Sequence, residues 1–161
     1  MLVEIQHQEV KYVVEDASIG TYFIRRKGFG TGILYTVNFD GSLNRCSVHH
    51  LKPCLHGDIL EAAAEKSPDE LSLRGTEDIE HSNGDFRFAG KTYRVVEPMI
   101  CTFFIAEKGS GEGYLVDMCE DLRIWNCSQD GIGVTVDKPC WHGLLTLDYI
   151  KFIDAKLQED K

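Results

Sequence analysis

The chain has 161 residues, enough for one ordinary domain or two small ones with a proper core. An apolar fraction of 43% and a charged fraction of 27% are those of a globular protein and exclude large-scale disorder. With 17 Lys and Arg against 26 Asp and Glu, the net charge of -9 argues against a nucleic-acid surface, which needs clustered cations for its phosphates.

The first residues, Met1 to His7, show no basic segment followed by an apolar stretch, so they do not read as a signal peptide. No apolar run approaches the ~20 residues of a membrane span. These features favour a soluble, cytoplasmic protein in which the six cysteines stay reduced.

Taken in order, Val10 to Val14 and Thr21 to Ile24 are β-branched, apolar stretches that predict strands. Arg25-Arg26-Lys27 reads as a solvated strand end. A turn with Gly28, Gly30 and Gly32 leads to a third stretch, Ile33 to Phe39. After a shortened segment near Val48-His49-His50 comes Lys52-Pro53-Cys54-Leu55-His56-Gly57, and then a helix-forming run from Asp58 to Glu65. Pro68 marks its stop. Residues 67–85 are acidic, lack periodicity and read as a linker.

The series then starts again. At an offset of 81 residues Thr21-Tyr22-Phe23-Ile24 meets Thr102-Phe103-Phe104-Ile105, and Lys27-Gly28 meets Lys108-Gly109 (offset by subtraction of positions). Gly30 and Gly111, Leu34 and Leu115, and Cys46-Ser47 and Cys127-Ser128 follow in step. An insertion around Gly131-Ile132-Gly133 precedes Lys138-Pro139-Cys140-Trp141-His142-Gly143, the second copy of K-P-C-x-H-G. Gly133 to Asp137 suggests a further strand. Leu144, Leu147, Ile150, Ile153 and Leu157 recur at helical spacing and close the chain with an amphipathic helix. The expected fold is therefore α+β: two antiparallel-sheet-plus-helix units, 1–66 and 86–161, packed as an internal pseudo-dimer.

The motif admits three chemistries. Cys46, Cys54 and His56, repeated as Cys127, Cys140 and His142, are thiolate and imidazole donors of the kind zinc prefers. His49, His50 and Cys119 are additional donors nearby. Three ligands per unit would leave an open fourth position for water and hydrolysis. Alternatively Cys54 or Cys140, at a helix start, is a lowered-pKa nucleophile or redox thiol, with a histidine as its base and Cys46 or Cys127 as resolving thiol. Thirdly, the motif is a packing corner with proline at the first turn and buried cysteine acting as a small hydrophobe.

The glycine loops are followed by β-like sequence, so they read as hairpin turns rather than as a nucleotide cradle; no other cofactor signature is present. No G-x-S-x-G elbow occurs. Trp125 and Trp141 exist in the second unit only and suggest either core filling or a one-sided pocket. The functional expectations are thus a zinc-holding binding protein, a metal-free acidic inhibitor or immunity-type module for a basic partner, or a thiol enzyme. A small ligand is the other partner expected, and the oligomeric state a monomer with an internal twofold or a homodimer.

Overall fold

The computed structural model describes residues 2–37, 44–67, 82–118, 124–132 and 140–160. These residues form an α+β fold: one antiparallel sheet with two helices on it. In chain order the strands are β1 (Leu2–His7), β2 (Val10–Ser18), β3 (Thr21–Arg26), β4 (Gly32–Thr36) and the short β5 (Arg45–Cys46), followed by helix α1 (Leu55–Lys66). Then come β6 (Ser82–Phe88), β7 (Lys91–Met99), β8 (Thr102–Glu107), β9 (Gly113–Met118), β10 (Ile124–Cys127), β11 (Gly131–Ile132) and helix α2 (Trp141–Glu159).

The sheet runs β1-β2-β3-β4-β9-β8-β7-β6, the same succession inward from either edge. Its two halves meet where Gly32 of β4 pairs with Gly113 of β9. A Cβ on Gly32 would stand 2.8 Å from the Phe23 ring and close to the Ile24 carbonyl, so this seam accepts only glycine. Beside it the halves clasp reciprocally. Ser47 Oγ donates to the Gly111 carbonyl at 2.6 Å, and Ser128 Oγ donates to that of Gly30 at 2.7 Å.

β3 and β4 are buried along nearly their whole lengths because both of their faces are covered. On one face Tyr22, Ile24, Ile33 and Tyr35 pack with Ile59, Leu60 and Ala63 of α1. Full burial of an Ile or Leu contributes about 1.5–3 kcal/mol, so Ile59 and Leu60 fix this helix to the sheet. Phe103, Ile105, Val116 and Met118 receive Leu145 and Tyr149 of α2 in the same way. On the other face Ala17, Phe23, Leu34, Phe104, Ala106 and Leu115 form a third cluster shared by both halves. The Phe23 and Phe104 rings lie 6.2 Å apart at its centre, and β2 approaches β7 although the two are not paired.

Several expectations need correction. β1 and β6 are strands that sequence patterning did not mark. Ser82 to Asp85, placed in the linker, open β6; residues 68–81 of that linker lie outside the described residues, as do Phe39, Cys119 and the strand expected at Gly133 to Asp137. Arg25 is not a solvated end: its Nε meets Glu15 Oε1 at 3.4 Å with both side chains mostly buried. The glycine loops do turn hairpins, but with divided roles. Gly28 and Gly109 carry the positive φ values (90° and 93°), whereas Gly30 and Gly111 are sites of close chain approach.

Two half-buried carboxyls, Glu15 on β2 and Asp117 on β9, make stability depend on pH. Burial pushes Glu15 above the usual range against the pull of Arg25, and pushes Asp117 up against hydrogen bonds from Thr102 and Asn126. A raised pKa means that the folded state holds the proton more tightly than the unfolded chain. Their contribution is therefore full below the ordinary carboxyl pKa of about 4 and is lost as pH rises through the raised value. Asp117→Asn should flatten the fall in stability above about pH 4 and raise the melting midpoint at pH 7 by a few degrees, as thermal unfolding across pH would show.

Candidate metal centres

Each K-P-C-x-H-G motif sits where a helix begins. Cys54 is the N-cap of α1 and Cys140 that of α2; both have extended backbone, and neither side chain caps the helix. Each thiol is thus available for another role beside the positive end of its helix. His56 lies in the first turn of α1 and faces the same way. Gly57 follows because Tyr35 passes beneath it; a Cβ there would stand 2.8 Å from the Tyr35 hydroxyl. Pro53 precedes the N-cap, so it sets the entry to the helix from outside rather than from the first turn. Pro139 lies outside the described residues.

The opposing donors come from a tight loop after β5. Cys46 and His50 bridge through two backbone bonds, Cys46 N to His50 O at 2.8 Å and His50 N to Cys46 O at 2.7 Å. The turn between them is closed by His50 in the left-handed region (φ 58°), an uncommon conformation for a side chain of this size. It sets Cys46 and His49 toward α1. In the second half Cys127 pairs with Gly131, and the same loop carries Asp130 where the first carries His49.

Two donor sets result: Cys46, His49, Cys54 and His56, and Cys127, Asp130, Cys140 and His142, each with its ligand atoms within 4.8 Å of one another. Cys46 Sγ lies 3.6 Å from His49 Nδ1 and 3.5 Å from His56 Nδ1, and Cys54 Sγ lies 3.7 Å from His56 Nδ1. Cys127 Sγ lies 3.6 Å from His142 Nδ1 and 3.5 Å from Asp130 Oδ2, with 3.2 Å between the nitrogen and the carboxylate oxygen.

A tetrahedron with Zn–S of about 2.3 Å and Zn–N or Zn–O of about 2.05 Å has S–N and S–O edges of roughly 3.5 Å and an N–O edge of roughly 3.3 Å. The measured separations match those edges. They suit hydrogen bonding less well, because the one lone pair of a neutral His56 Nδ1 cannot serve sulfurs at 3.5 Å and 3.7 Å together.

Burial acts in opposite senses on the imidazoles and the thiols of the two sets. Burial, with His49 beside it, lowers His56 to about 4, so the imidazole is neutral near pH 7, as a ligand must be. Burial likewise lowers His142, with Asp130 opposing. The thiols Cys46 and Cys140 are pushed up by burial, and Cys127 is pushed up to about 12. Burial works against the Asp130 carboxylate too, but hydrogen bonds from Cys140, His142 and Cys127 outweigh it and hold its pKa below the usual range. Without a cation, buried thiols at these positions stay protonated; a bound divalent ion reverses that preference.

The second centre is walled by aromatic rings. His142, 1% exposed, lies with its ring centre 3.7 Å from Trp141 and 4.0 Å from Tyr114, and Tyr93 extends the stack against Trp141. Its Nε2 is buried and finds no hydrogen-bond partner among the described residues.

All six donors expected from sequence fall into the two sets, three in each. His49 and Asp130 complete them, and His50 turns away from its set. In both sets a fourth side-chain donor stands within 4.8 Å of the three expected ones, where an open position was expected. Asp130 was missed although it stands at the offset that relates Cys46 to Cys127, since 49 plus 81 is 130. Comparison with protein-family models, with curated proteins and with solved structures returns no match, so these centres are read from their own chemistry.

Proposed function

We propose that this chain is a zinc-binding protein in which two four-ligand centres fasten each helix to its half of the sheet. The observation that carries the reading is the agreement of two independent donor sets with tetrahedral edge lengths. Four protein donors per ion make both centres closed and structural, which removes support from hydrolysis at an open position. The thiol-enzyme reading of Cys54 and Cys140 loses support as well, because each sulfur lies inside a donor set and burial raises Cys140.

On this proposal the halves 1–66 and 86–161 are duplicated units forming an internal pseudo-dimer about the β4–β9 seam. Their centres differ: the first is Cys2His2 and the second Cys2HisAsp. The harder carboxylate makes the second the more labile toward acid and chelators. Binding of a basic protein through the acidic surface, the metal-free alternative, stands on net charge alone.

Cobalt substitution tests the assignment. Both centres should give intense tetrahedral cobalt bands with thiolate charge transfer. His49→Ala should weaken the first centre, and Asp130→Ala the second, by at least about 100-fold while leaving the other intact. Asp130→His should make the second spectrum resemble the first. Six-coordinate spectra without thiolate charge transfer would end the proposal.

A further inference from the structure

On the face of the sheet away from the helices, a cavity of about 820 Å³ opens between β4, β7 and β8. Its floor is apolar: Leu34, Val96, Phe104 and Ala106. Its rim carries two guanidinium groups, Arg45 next to β4 and Arg94 on β7, with His50 beside them. No carboxylate belongs to the lining among the described residues, in a chain whose net charge is -9. The wall carrying Arg45, Ser47, Val48 and His50 is pinned by the Cys46–His50 bridge and by the Ser47–Gly111 bond. The left-handed backbone of His50 is thus part of this wall. Strained non-glycine residues of this kind concentrate at binding sites.

The other half of the chain serves as an internal comparison. One 81-residue step away, Val96 is replaced by Glu15, Ala106 by Arg25, Thr36 by Asp117, Arg45 by Asn126 and Arg94 by Val13. There the polar groups bond to one another: Arg25 meets Glu15, and Asp117 accepts from Thr102 and Asn126. The same framework therefore carries a self-satisfied polar set on one side. On the other it carries an apolar floor under two guanidinium groups. Arg94 does contact Asp85 Oδ1, but at 3.5 Å and with half of its side chain exposed, an arrangement that contributes little to stability.

We infer that this cavity is a binding site for a small organic anion, with a carboxylate, sulfonate or phosphate on Arg45 and Arg94 and a flat apolar body on Val96, Phe104 and Ala106. The volume falls in the range of ligand sites that bury most of a small molecule. Guanidinium groups suit the head because they pair with planar oxyanions through two parallel hydrogen bonds. This inference does not depend on the metal centres, since bonds other than metal ligation hold the wall.

The test uses the full chain and two fluorescent probes of the same shape, 1-anilinonaphthalene-8-sulfonate and the uncharged N-phenyl-1-naphthylamine. The sulfonate should bind saturably at one equivalent, and the neutral probe at least about tenfold more weakly. Arg45→Gln, at an exposed rim position, should weaken the sulfonate about tenfold and leave the neutral probe and the melting midpoint unchanged. Val96→Glu, which copies position 15, should abolish sulfonate binding. If that variant fails to fold, Arg94→Gln provides the second reading, with the same expectation as Arg45→Gln. Equal affinity for both probes, absence of saturable sulfonate binding, or sulfonate affinity indifferent to Arg45→Gln would overturn the inference.

Discussion

If both centres hold zinc as proposed, stripping it should lower the thermal midpoint by about 10–20 °C, as expected if about 5 kcal/mol of folding free energy resides in the ions. On the proposed reading each ion would join a loop at Cys46–His49 or Cys127–Asp130 to the first turn of a helix, and neither N-cap side chain caps its helix. Loss of the ion leaves partly buried sulfurs and imidazoles facing one another and loosens the docking of Ile59, Leu60 and Leu145. The strands should hold, because β2, β3, β7 and β8 are bonded on both sides and share the Phe23–Phe104 cluster. Hydrogen exchange should then show protection lost across α1 and α2 before the central strands. Cys54→Ser should produce this in α1 alone. Unchanged exchange in α1 would count against a stapling role for the first centre.

Gly111→Ala should cost about 2–4 kcal/mol, whereas Gly28→Ala should cost about 1 kcal/mol. The contrast comes from what surrounds each position. A Cβ on Gly111 would stand 2.6 Å from Val48 Cα and nearer still to the Ser47 carbonyl, and backbone cannot swing aside. Relief would require the loop to retreat, breaking the 2.6 Å bond from Ser47 Oγ and moving Cys46 and His49 with it. Gly28 has open space around it and pays only for a left-handed φ of 90°. Chemical denaturation of the two variants measures the difference. Gly111→Ala should also reduce metal affinity at the first centre while sparing the second; equal costs for both variants would show that the seam is not tightly packed.

What the chain reveals without coordinates follows from how each feature is encoded. The candidate metal donors were legible because identical residues, Cys-x-His in each motif and the upstream Cys, recur in order. Asp130 was not, since a carboxylate stands where the first set has the histidine His49, so residue identity does not mark it. β1 and β6 escaped notice because their hairpins turn on Gln8-Glu9 and Ala89-Gly90, with left-handed φ at all four residues, instead of the Asn-Gly or Asp-Gly pairs that mark such turns. Positive φ at Gly28 was readable from glycine itself, but the partner of Gly111 stands 63 to 64 residues away at Ser47 and Val48 and required the seam. The cavity beside Arg45 and Arg94 was invisible for the same reason, as Arg45, Arg94 and Phe104 meet only after β4 and β9 join the halves.

Metal per chain, determined by elemental analysis on untagged protein, bears most directly on the central claim. Two zinc equivalents are expected in the parent, one in Cys54→Ser or Cys140→Ser, and none in the double variant. A folded parent without metal, or a double variant that keeps both equivalents, would contradict it.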